Sequence, residues 1–152
     1  MKPIRSASAI LTTMLLVATS RAQDAGPSAV FDAAVRTLVL SAPSAQDHAL
    51  IQQDQWLRAE PAALATRDVL VIHVVADVVD ARAGKPIAAR SLREAAGLGS
   101  AGFEVALVGK DGTIKLRQST PITVAELASV IDAMPMRQRE MQQHRARGPA
   151  PP

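Results

Sequence analysis

One run of the sequence constrains the fold more than any other: Val69-Leu70-Val71-Ile72-His73-Val74-Val75, in which only His73 is polar. A short run dominated by β-branched residues is a strand, and its lack of polar alternation marks a strand covered on both faces. Strands of that kind belong to parallel sheets, where crossover helices shield both sides. The run therefore points to an α/β fold.

The flanking segments supply the remaining elements. Val35 to Leu40 is aliphatic and predicts a first strand, broken by Ser41-Ala42-Pro43-Ser44. Ser44 is a suitable helix N-cap and Asp47 places a carboxylate in the first turn. The helix is expected to run to about Leu57, with Leu50, Ile51 and Leu57 inward, and Glu60-Pro61 ends it and starts a helical turn to Thr66. Residues 77–90, with Gly84 and Pro86, read as a loop. Ser91-Leu92-Arg93-Glu94 has the form of a capping box for a short helix that stops at Gly97 or Gly99. Phe103 to Val108 and Ile114 to Arg117 are the third and fourth strands, joined by a turn with the Asp111-Gly112 pair that hairpins favour. Thr123-Val124-Ala125-Glu126 is a second capping box, and Val124, Leu127, Ile131 and Met134 fall on one helical face before Pro135. The order βαβαββα, with a crossover between the first two strands and a hairpin between the last two, is that of a thioredoxin-like fold: a roughly four-stranded mixed sheet flanked by helices.

The ends carry different information. Met1-Lys2-Pro3-Ile4-Arg5 is basic, Ala9 to Ala18 is mostly apolar, and Ser20-Arg21-Ala22 follows the small-x-small rule, so residues 1–22 are expected to be a secretory signal peptide cleaved after Ala22. Residues 23–34 read as a flexible lead-in, 35–135 as the domain, and 136–152 as a basic tail without fixed structure. Beyond Ala22 the chain holds 14 basic and 14 acidic residues, but residues 136–152 carry four arginines against Glu140, leaving the rest acidic. That balance does not suggest a nucleic-acid-binding face. The expected setting is the bacterial periplasm, with no membrane-spanning segment in the mature form. The sequence contains no cysteine, which excludes thiol–disulfide exchange and thiol peroxidase chemistry and leaves stability to packing.

Several stretches are similar to the DUF4174 domain: Arg36 to Asp47, Arg67-Asp68-Val69-Leu70-Val71-Ile72, Phe103 to Gly112 with its Gly109-Lys110-Asp111-Gly112 turn, and the closing Ile131-Asp132-Ala133-Met134-Pro135-Met136-Arg137-Gln138-Arg139-Glu140-Met141. The resemblance covers about residues 34–141. It implies a thioredoxin-like fold close to peroxiredoxins, relatives among extracellular-matrix and sushi-repeat protein domains, and an extracytoplasmic setting. It implies no catalytic residue.

Candidate chemistry is sparse. Thioredoxin-like redox proteins place their nucleophilic cysteine at the end of the first strand; here that position reads Ser41-Ala42-Pro43-Ser44. A helix N-terminus with hydroxyls can hold an anion, which makes Ser41, Ser44 and Arg117 candidates for an anion or ligand site, against the plainer reading of Ser44 as a cap. His48, His73 and His144 have no nucleophile elbow near them, Asp77 and Asp80 are too few for a metal centre, and no cofactor motif is present. In the tail, Arg137 and Arg139 are candidate contacts for an envelope protein or anionic polymer, the alternative being that they fold onto the domain if the closing motif of the resemblance extends to Met141. The leading expectation is a non-enzymatic periplasmic binding or adaptor module on a redox-inactive fold. The alternatives are an enzyme with a non-thiol site at the first strand–helix junction, and a structural protein that binds envelope or glycan.

Overall fold

The computed structural model describes residues 30–80 and 87–148. The expected signal peptide, most of the lead-in and the last four residues lie outside them. Strands β1 (Arg36–Ala42), β2 (Val69–Val75), β3 (Val78–Val79), β4 (Glu104–Val108) and β5 (Ile114–Gln118) alternate with helices α1 (His48–Ala59), α2 (Pro61–Ala65), α3 (Ala89–Ala96), α4 (Val124–Asp132) and α5 (Pro135–Arg147). The strands form one mixed sheet in the order β3-β2-β1-β4-β5. β1 is parallel to β2, with α1 and α2 in the crossover, and the β1–β4 and β4–β5 pairs are antiparallel. The four expected strands are present with the expected connectivity. The short β3 is an addition: part of the stretch expected to be loop turns back as a hairpin on Val74 and Val75.

Strand alternation divides the apolar side chains between two cores. Leu38, Leu40, Val105 and Leu107 face α1 and α4, where they meet Leu50, Leu57, Leu127 and Ile131. Val39, Ile72, Val74, Ala106 and Val108 face α3 and pack on Leu92, Ala96 and Phe31. Phe31 is thus tied into the domain, although it falls in the stretch expected to be a flexible lead-in.

Burial within the sheet departs from expectation. The nearly all-apolar β2 is only partly covered, whereas every residue of β1 is buried, including Arg36, Thr37 and Ser41. β1 is central and β2 has only the two-residue β3 outside it, so sheet order rather than composition sets their exposure.

The caps are corrected in two of three helices. α1 is capped by Asp47, whose Oδ1 accepts the amides of Ala49 and Leu50 at 2.9 and 3.2 Å. Ser44 instead closes the preceding turn, its carbonyl accepting the Asp47 amide. With that register Leu50, Gln53 and Leu57 point inward and Ile51 is exposed. α3 begins at Ala89, ahead of the Ser91 box, because Ala89, Leu92 and Ala96 form one buried stripe. It ends at Gly97 in the left-handed region, φ 66°, as expected. α4 has the expected reciprocal box between Thr123 and Glu126.

Candidate functional site

At the first strand–helix junction Ser41 is fully buried. Its hydroxyl donates to the Gly99 carbonyl at 2.9 Å and accepts from Arg93 Nε at 3.0 Å. Arg93 also donates to the Ala76 carbonyl, in the turn between β2 and β3. Arg117 donates from β5 to the Gly97 carbonyl, and the Glu104 carboxylate accepts the Gly99 amide. Ser41 and Arg117 are therefore brought to the same loop, where they fasten the end of α3 to the sheet. Ser44 makes no hydrogen bond to either of them among the described residues. The junction is a set of closed structural contacts in which the only hydroxyl proton of Ser41 is already donated.

The other expected contact region is organised differently. Residues from Pro135 to Arg147 form a helix with proline at its first turn, where the missing N–H costs nothing, rather than an unstructured tail. No residue of α5 is buried. Its inward stripe is Arg137, Glu140 and Met141, spaced by three and four residues and mostly charged, so ion pairs do what an aliphatic stripe does elsewhere. Glu140 accepts from the buried Arg36 Nη2 at 3.1 Å and from Lys110 Nζ at 2.9 Å, and faces Arg137 Nη1 at 3.5 Å. Lys110 also reaches Asp68 at 2.8 Å. Asp132 is shared by Arg67, at 2.6 and 3.1 Å, and by Arg137 at 3.2 Å.

This network joins all the segments on which the family resemblance rests. β1 and β2 start, and β4 ends, at the same end of the sheet. That places Arg36, Arg67-Asp68 and Lys110 together, and the chain from Asp132 to Glu140 folds over them. Partial burial pushes the Glu140 carboxyl upward, but hydrogen bonds from Lys110 and Arg36 and their charges outweigh it and bring its pKa to about 2. The hydrogen bond from Arg67, aided by Arg137, holds Asp132 below its ordinary value.

α5 also carries exposed basic residues. Arg139, Arg145 and Arg147 are exposed, and none has an ion-pair partner among the described residues. Arg137, half-buried, belongs to the anchoring side, whereas Arg139 is exposed. A groove of about 540 Å³ runs between α2 and α5, bounded by Ala65, Thr66, Met141, His144 and Arg145. A second, of about 380 Å³, lies beside α1 and contains His73, whose Nε2 is 2.7 Å from Asp54 Oδ1. Among the described residues no Ser or Thr lines that second groove. Among the described residues no three His, Asp or Glu side chains converge to hold a metal, and no helix is long and apolar enough to cross a membrane.

A protein-family model described as "Domain of unknown function (DUF4174)" matches residues 29–140. No curated protein matches the chain, and no solved structure does.

Proposed function

The chain belongs to the DUF4174 family, and we propose that it is an exported binding or adaptor module that works through the exposed arginines of α5. One observation carries the proposal. The helix buries no residue of its own, yet charged groups from β1, the turn after β4 and the end of α4 hold it in place, leaving Arg139, Arg145 and Arg147 facing solvent. An unpaired cationic surface on a fixed helix suits an anionic partner, an envelope protein or an anionic polymer, by charge complementarity. The closed contacts of Ser41 weigh against an enzyme at the strand–helix junction.

Export rests on the basic, apolar and small-residue pattern of residues 1–22. A secreted mass beginning at Gln23 is the expected product. Binding is tested by loading residues 23–152 on immobilised polyglutamate and polyphosphate, beside a variant carrying Arg139→Glu, Arg145→Glu and Arg147→Glu. Salt-sensitive retention of the parent chain, weakened about tenfold or more in the variant, is expected for an interaction built on those charges. Equal behaviour of the two chains on both matrices removes α5 as the working surface.

A further inference from the structure

We infer that a small cavity beside the start of α5 is a binding site for a short aliphatic carboxylate. The cavity encloses about 150 Å³. That is below the usual range for drug-sized ligands and leaves room for an acid of a few carbons. Its apolar side is Met134, Pro135 and Met136, and its polar side carries Arg36, Lys110 and Lys115 against Asp111.

The cations retain donor capacity. Arg36 uses Nη1 on the Arg67 carbonyl and Nη2 on Glu140, and its Nε–H makes no hydrogen bond among the described residues. Lys110 and Lys115 each have three N–H donors. Lys110 spends two of them, on Asp68 and Glu140, and Lys115 spends one, on Asp111 at 2.6 Å. A carboxylate entering beside Lys115 gains charge-assisted hydrogen bonds without breaking those pairs. Glycine at position 109 lets the Lys115–Asp111 pair lie close against the backbone, since a Cβ there would lie 2.7 Å from both Lys115 Cε and Asp111 Oδ1. The methionine and proline wall then selects an acid with a short hydrocarbon tail over an inorganic anion, which offers that wall nothing to pack against.

None of the exposed arginines of α5 lines this cavity, so the inference stands or falls independently of the proposed function. The test is an NMR and calorimetric titration of residues 23–152 with butyrate, butyramide and inorganic phosphate. Butyrate is expected to shift the amides of Gly109 to Lys115 and of Met136 along a single-site, one-to-one binding curve. Butyramide, without the charge, and phosphate, without the tail, are expected to bind at least about tenfold more weakly. Lys115→Met and, separately, Met136→Glu each weaken butyrate by about tenfold or more, whereas Arg90→Gln, on α3, leaves it unchanged. Both altered side chains are partly or largely exposed, and an unchanged Trp56 emission would show that the variants are folded. The inference is overturned if butyrate shifts none of these amides at about 10 mM, where even a weak site would fill. It is equally overturned if all three probes bind alike.

Discussion

Arg36 lies on the central strand with 1% of its side chain exposed, a place where an unpaired charge is not tolerated. Its partner Glu140 is more than a hundred positions away in the chain, so the pair exists only once the last helix has docked. Because the Glu140 pKa falls from an ordinary 4.5 to about 2 on folding, its ionisation stabilises the fold above about pH 4.5. That contribution fades as pH drops through 4.5 and is gone below about 2. Glu140→Gln should cost about 2 kcal/mol near neutral pH, in the range for breaking a partly buried pair. Urea unfolding followed by Trp56 fluorescence should show the gap from the parent protein narrowing between about pH 4.5 and 2; a gap that ignores pH would mean Glu140 is not the ionised anchor. Gln53 shows the same dependence on distant partners. Fully buried on α1, it donates to the Ile122 carbonyl at 3.0 Å and accepts the Ile122 amide at 2.7 Å. Nothing in the helical pattern distinguishes it from the exposed Gln52 or Gln55.

At the scale of elements, the aliphatic patterns were legible and the charged one was not. α4 is written in its sequence, with a capping box and apolar residues at helical spacing, and it forms as written. α5 has no such stripe. Its inward residues are Arg137, Glu140 and Met141, and a segment so polar reads as a solvated tail until its partners are known. A chain ending at Pro135 is therefore expected to lose about 2–4 kcal/mol, because Arg36 and Lys110 lose the Glu140 carboxylate between them. Chemical denaturation of the shortened protein measures this, and an unchanged midpoint would make α5 a passenger. The helix caps were misplaced for a related reason. Ser44 and Asp47 are both competent caps, and Ser91 and Glu94 match a box, but the register that buries Leu50 with Gln53, and Leu92 with Ala96, selected Asp47 and Ala88 instead.

For the whole molecule, a single sheet shared by two apolar layers makes the domain one cooperative unit. Leu92→Ala in the α3 layer and Leu127→Ala in the α4 layer should each cost about 2–5 kcal/mol. In both variants Trp56 fluorescence, which reports from α1, and far-ultraviolet dichroism should still lose signal together. Separate transitions in Leu92→Ala would show that the α3 layer melts alone. The sequence by itself determined the α/β class, the four principal strands, the crossover and the hairpin, because apolar periodicity and turn residues act locally. It also shows that these residues include no cysteine. Only the tertiary structure decided which strand is innermost, how Ser41 and Arg117 are occupied, and that the basic C-terminal stretch is a docked helix. Those outcomes depend on strand order and on charges brought together from β1, the approach to β2, the end of β4 and α5, and a contact between segments so distant has no signature in local spacing.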